Sequence, residues 1–256
     1  MKNEKVFSNG GFYQVVLTSN ALLHTEAAKI GTNIVSKWLR TQHNSEPVRI
    51  LDLACGGTPY TVLQIINGND DYKFEYCGID INPDQVAKAS QTLECLKNVI
   101  RFEVLEGDIW NISALNLDRK FDLIFVGMNL HHGSSSQIKD LFIRMIPHFA
   151  ASGLFLNHDL YKPEICSTVL TNKLSDSDWR KIFIDEQKAY LRQYNVDEKG
   201  LAENAVHIMK YDHPLSLTEA VALIANAGFT VKTHQMTAFN HLLGKYFAVI
   251  EAKLNS

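Results

Sequence analysis

The period of the apolar positions changes along the chain. Val48 to Leu53 (VRILDL), Tyr72 to Ile79, Ile100 to Leu105, Phe121 to Gly127 (FDLIFVG) and Gly153 to Asn157 are short, nearly continuous apolar runs. Runs of this length, rich in β-branched and aromatic residues, read as strands buried on both faces. Between them the period is helical. Tyr60 to Ile66 makes a short helix, and Asn82, Pro83 and Gln85 form a helix start with an Asn cap and proline in the first turn. Ile138, Leu141, Phe142, Met145 and Ile146 fall on one stripe, which Pro147 ends. Ser216 and Glu219 form a capping box before the stripe Ala220, Leu223, Ile224 and Ala227. Gly228 supplies a left-handed stop, and strands follow from Phe229 to Thr233 and from Lys245 to Ala252. Alternation of this kind predicts a parallel sheet covered by helices.

Two regions stand outside the alternation. The stretch up to Gln42 reads as mostly helical after Asn20, and the segment from Tyr161 to Asp212 is too long to be a bare loop. The chain therefore divides into an N-terminal helical arm (1–42), a sheet core (43–160), a helical lid laid over one rim (161–212) and a C-terminal return to the core (213–256).

Composition narrows the function. The 256 residues are 46% hydrophobic and 21% charged, which suits a packed globular core. A formal charge of −3 offers no basic field for DNA and disfavours RNA. The lid carries eight basic and eight acidic residues between Tyr161 and Lys210, so it has no phosphate-tracking stripe. No run is long and apolar enough to span a bilayer, and the polar start Met1-Lys-Asn-Glu-Lys leads into no signal-peptide core. Cys55, Cys77, Cys95 and Cys166 form no paired spacing, which predicts a reducing cytoplasm and no structural zinc.

In an open parallel sheet, ligands bind beyond the carboxyl ends of the strands. The residues at those ends form a set: Asp52-Leu-Ala54-Cys55-Gly56-Gly57-Thr58, then Asp80-Ile81, Asp108-Ile109, Met128-Asn129-Leu130-His131-His132, and Asn157-His158-Asp159. Small residues after the first strand let a ligand approach the backbone, and an acid after the second is placed to hold ribose hydroxyls. The bland readings are turn chemistry for Gly56-Gly57, a helix cap for Asp80, and solvated positions for the paired histidines and for His158-Asp159.

Taken together, these residues resemble the class I S-adenosylmethionine-dependent methyltransferases. That family's first motif, acid-x-Gly-x-Gly-x-Gly, is matched by Asp52, Ala54, Gly56 and Thr58, so Ala and Thr replace two glycines. The resemblance implies a Rossmann-like, doubly wound α/β fold, with a mostly parallel seven-stranded sheet and an antiparallel last strand. It also implies S-adenosylmethionine as cofactor and S-adenosylhomocysteine as product, with no metal. By resemblance Asp52, Ala54, Cys55 and Gly56 line the methionine part, and Asp80 binds the ribose. Ile81 and Ile109 flank adenine, Asp108 accepts from its amino group, and Asn129 adds to the cofactor site.

The expected reaction moves a methyl group to an O, N or C atom of a small-molecule acceptor. His131, His132 and His158 are the candidate bases, since an imidazole is mostly neutral at pH 7. Tyr13, Tyr161 and Trp179 are candidate acceptor contacts, and a homodimer is an allowed assembly. A nicotinamide dehydrogenase would want Gly-x-Gly-x-x-Gly, which Gly56-Gly-Thr-Pro-Tyr-Thr61 fails, and no phosphate-loop motif is present. A non-catalytic nucleoside-binding module, a tRNA-directed enzyme and a non-methylating user of the same cofactor remain as alternatives.

Overall fold

The computed structural model describes residues 10–42, 47–163, 175–239 and 241–255; Phe7 and Cys166 fall outside them. In chain order the elements are α1 (Gly10–Thr18), α2 (His24–Leu39), β1 (Val48–Leu53), α3 (Tyr60–Asn67), β2 (Phe74–Asp80), α4 (Pro83–Leu93), β3 (Val99–Glu106), β4 (Phe121–Gly127), α5 (Ser135–Met145), β5 (Phe149–Leu160), α6 (Asp176–Leu191), α7 (Glu198–Tyr211), α8 (Leu217–Asn226), β6 (Phe229–Gln235) and β7 (Phe247–Leu254). The seven strands form one sheet in the order β3-β2-β1-β4-β5-β7-β6. The first five run parallel, and β7 pairs antiparallel with both β5 and β6. Strand order reverses between β1 and β4, so their carboxyl tips border the crevice where open α/β sheets bind ligands.

Alternation along each strand builds two apolar layers. In β1, Ile50 packs on one side with Val62, Tyr76 and Phe125, while Leu51 and Leu53 pack on the other with Ile79, Ile124 and Phe142. The rings of Phe142, Phe155 and Phe229 meet edge to face behind α5 and α8. The predicted capping box of Ser216 with Glu219 forms on α8, and α5 opens on a second, unpredicted one, Ser134 with Gln137. At α4 the cap is simpler. Asn82 Oδ1 accepts from the Asp84 amide at 2.9 Å, whereas Gln85 lies against Gly57 instead of closing a box. Ile146 begins a 3₁₀ turn with Pro147 and, partly buried, still packs on the cluster that the stripe joins.

One strand is longer than its apolar run predicts. β5 spans Phe149 to Leu160; its start pairs with β4 at Phe121, and its end is carried on by β7, which pairs with it from Leu154 to Leu160, opposite Phe247. The solvated turn expected at His158-Asp159 is thus a buried strand end, with both residues 1% exposed. Beyond it, α6 packs on β7 through Phe183, whose ring stands 4.8 Å from that of Tyr246. Helix α1 joins α6 and α7 through Phe12, Val16, Leu191 and Leu201. No helix among the described residues is long and apolar enough to cross a membrane.

Candidate active site

The loop after β1 turns on two left-handed residues, Ala54 (φ 59°) and Gly56 (φ 60°). Ala54 adopts that conformation at a cost of roughly 1–2 kcal/mol, which surrounding contacts must offset. They do so through the backbone: the Cys55 amide donates to the Ile79 carbonyl at 3.0 Å. Gly57 is fixed by proximity, since a Cβ there would meet Gln85 and lie 2.8 Å from Lys88 Cδ.

Asp80 closes the arrangement. Its Oδ2 accepts from the Gly56 amide at 2.8 Å and its Oδ1 from the Asn82 amide at 2.9 Å. One carboxylate thereby ties the tip of β2 to the β1 loop and to the start of α4. Burial pushes its pKa up, against the two amides that favour the charged form. Asp80 is not the cap of α4, which is Asn82; it holds the Asn82 amide, and the same geometry puts the carboxylate at the rim. Beside it Ile81 is 51% exposed, an apolar side chain left uncovered on that rim.

Asp52 stands one strand over, opposite Gly78 in the register, and is 2% exposed. It accepts from the Tyr76 hydroxyl at 2.8 Å. Burial pushes its pKa up to about 7, the Tyr76 hydrogen bond opposes this, and the nearby Asp80 charge adds to it. Tyr76 was not singled out in the sequence, although two-residue alternation from Asp80 through Gly78 puts it on that side. On β3's side, Asp108 Oδ1 accepts from the Trp110 amide at 2.9 Å and caps the 3₁₀ turn Ile109–Leu115. Asp108 is exposed, and Ile109 behind it is buried.

The tips of β4 and β5 carry a different chemistry. The Met128 amide donates to the His158 carbonyl at 2.7 Å, and Met128 itself is left-handed at φ 51°. This turn brings the Asn129 and Leu130 amides onto Asp159 Oδ2, at 3.3 and 2.7 Å. Asn129 Oδ1 is buried with no partner in hydrogen-bonding geometry. Asp159 pairs with His131 Nδ1, and not with its sequence neighbour His158. Burial alone would lower the His131 pKa, but the Asp159 carboxylate and then that of Asp212 outweigh it, and the net shift is upward. The same pair holds Asp159 below the usual carboxylate range, against burial.

His207 and Asp212, neither of them singled out in the sequence, complete the cluster. Asp212 Oδ1 lies 3.2 Å from His132 Nδ1, 3.4 Å from His207 Nε2 and 3.8 Å from His131 Nε2.

The remaining expected residues are placed differently. His158 turns away from this cluster and stacks edge-on with His24, ring centres 5.2 Å apart. Burial lowers the pKa of His158 to about 3 and that of His24 to about 4, so both are neutral. Tyr161 is buried with its hydroxyl on Asn157 Oδ1, and Trp179 is a 4%-exposed core residue packed on Phe183. Tyr13 falls on α1 with its side chain outside the described residues.

Comparison with known proteins agrees with this layout. Residues 50–153 match the family described as "Methyltransferase domain". The plantazolicin methyltransferase BpumL, solved in complex with SAH, superposes with a TM-score of 0.62 at 16% identity, covering 98% of this chain and 93% of that one. The CurJ carbon methyltransferase gives 0.61 at 18% identity, over 90% of this chain and 54% of that one. The mitomycin 7-O-methyltransferase MmcR gives 0.55 at 14%, over 91% and 54%. The chain thus spans little more than half the length of the last two. No curated protein matches it in sequence.

The buried Asp52 makes stability depend on pH. Its pKa is raised from 3.8 to about 7 on folding. A carboxyl shifted this way contributes stability that is complete below about pH 4 and lost as pH rises through about 7. Urea unfolding of the ligand-free protein at about pH 4.5 and 8 should show that loss, of order 3 kcal/mol from this group. Asp52→Asn, which keeps an acceptor for Tyr76, should remove most of it. Equal pH dependence in the two proteins would contradict the buried, protonated carboxyl.

Proposed function

Starting from a chain that carries a methyltransferase domain of the class I fold, we propose that it transfers a methyl group from S-adenosylmethionine to an O, N or C atom of a small-molecule acceptor. The observation that carries this reading is the Asp80 carboxylate, tied to Gly56 and Asn82 at the strand-order reversal. Each of its oxygens takes one main-chain bond and has a second lone pair for a ribose hydroxyl. Ile81 offers an uncovered apolar side to adenine, and Asp108 and the Ile109 amide lie at the next strand tip. Ala54, Cys55 and Gly56 bring backbone to the methionine part, with Asp52 behind them and Asn129 in the turn beyond β4.

The sulfonium methyl is already activated, so the protein's main task is to hold donor and acceptor in line. That effect reaches roughly 7–11 kcal/mol in well-oriented pairs. Removing a proton from an oxygen or nitrogen acceptor adds about 10²–10⁴-fold. We assign that proton to the histidine–carboxylate cluster at the tips of β4 and β5. The His158–His24 pair, neutral and enclosed, serves the packing of α2 on β5. A small acceptor is favoured by the absence of a basic stripe in the lid sequence and by the likeness to BpumL and MmcR, which are named for plantazolicin and mitomycin.

Two measurements follow. Asp80→Asn should weaken S-adenosylhomocysteine by about ten- to a hundredfold, the loss of one charge-assisted hydrogen bond. Calorimetry on a variant with unchanged circular dichroism reads this, and wild-type affinity would remove Asp80 from the ribose site. The donor also brings an ammonium and a sulfonium toward Asp52 and Asp80, whose pKa values are both raised. Positive charge lowers them again. Binding near pH 7 should therefore release protons, seen as a calorimetric enthalpy that varies with buffer. The release should shrink at about pH 9 and in Asp52→Asn. A buffer-independent enthalpy would contradict it.

A further inference from the structure

We propose that His131 Nε2, His132 Nδ1 and an oxygen of Asp212 form a binding site for a divalent transition ion of the zinc class, with His207 set against the same carboxylate. The ligand atoms of the three residues all lie within 4.8 Å of one another. A zinc ion bound at about 2.0–2.1 Å in tetrahedral geometry holds its ligand atoms about 3.3–3.4 Å apart. The distances of 3.2 Å and 3.8 Å from Asp212 Oδ1 to His132 and His131 bracket that spacing.

Asp212 carries the second observation. The residue is 4% exposed, and its Oδ1 has no donor in hydrogen-bonding geometry despite three imidazole nitrogens nearby. A buried carboxylate oxygen left this way costs free energy that a cation would offset. The surroundings also hold the donors in place before any ion arrives. The His213 amide donates to the His131 carbonyl at 2.6 Å, clamping the end of α7 onto the β4 tip. His131 Nδ1 is taken by Asp159, so the ring presents Nε2 toward Asp212. Asp159 is in turn held by the Leu130 and Leu160 amides at 2.7 and 2.8 Å. A carboxylate behind a histidine is the arrangement that orients metal-binding imidazoles and raises their basicity.

Two imidazoles and one carboxylate favour zinc-class ions over magnesium or calcium, which take oxygen donors. With three protein ligands, one position stays open. Resting on the methyl-transfer reading above, an ion there would bind the acceptor's oxygen or nitrogen at that position and lower its pKa, so that the proton leaves to solvent and the ion takes over the role assigned above to the imidazoles. The site itself does not depend on that reading.

Cobalt(II) titration of the full chain, stripped with chelator, tests it by visible absorption. One cobalt per chain with tetrahedral or five-coordinate bands is expected, displaced by one equivalent of zinc and not by millimolar magnesium. Asp212→Asn and, separately, the half-exposed His132→Ala should each weaken binding by more than about a hundredfold. His148→Ala, on the far end of α5, should leave it unchanged. S-adenosylhomocysteine affinity, measured on the same samples, reports folding and the donor site. Absence of stoichiometric cobalt in wild-type protein that binds S-adenosylhomocysteine would overturn the metal site alone. Cobalt that survives both ligand variants would do the same. Cobalt bound as expected by a protein that ignores S-adenosylhomocysteine would instead sink the methyl-transfer reading and leave the site standing.

Discussion

A carboxylate withdrawn from water must find donors, and at the tip of β2 that requirement organises the molecule. Asp80 satisfies itself on the Gly56 and Asn82 amides. In doing so it sets the left-handed loop after β1 and the entry of α4. The loop then fixes how close backbone can come to anything lying across the strand-order reversal. Asp52, one strand away and hydrogen-bonded by Tyr76, shares the low-dielectric setting and the raised pKa. Burial raises the pKa of both acids, which makes a rim that gains from the arrival of a cation.

The neighbouring tips of β4 and β5 answer the same requirement in another way. There the Asp159 pKa is held down by His131 and by main-chain amides, and that of Asp212 by the facing imidazoles of His132, His131 and His207. The sheet thus presents acids with raised pKa values on one side of the reversal. On the other it presents an imidazole–carboxylate cluster. Helices α6 and α7 matter to this division because α7 delivers His207 and Asp212, and because the His213 amide pins its end to His131.

Much of the fold was legible in the sequence, for reasons that can be stated locally. β1, β2 and β4 are apolar runs with few alternatives, and the Asn82 and Ser216 starts obey capping chemistry that acts within four residues. The strand-tip acids Asp52, Asp80 and Asp108 were legible as well, since parallel topology sends every tip to one rim. What escaped depends on partners distant in sequence. β5 outruns its apolar stretch at its carboxyl end because β7 pairs with it as far as Leu160, which buries His158 and Asp159. Asp159 then meets His131 from the adjacent strand, a pairing that no local pattern announces. Tyr161 and Trp179 read equally well as acceptor contacts or as core, and the packing against Asn157 and Phe183 places them in the core. His207 and Asp212 join His131 and His132 only through the docking of α7.

A crystal structure of the full chain with S-adenosylhomocysteine is the most direct test of the central claim. The account requires both ribose hydroxyls on the Asp80 carboxylate, adenine against Ile81, and the sulfur directed toward the His131–His132 side of the rim. A nucleoside bound elsewhere, or an Asp80 that keeps its main-chain bonds and touches no ligand atom, would contradict it.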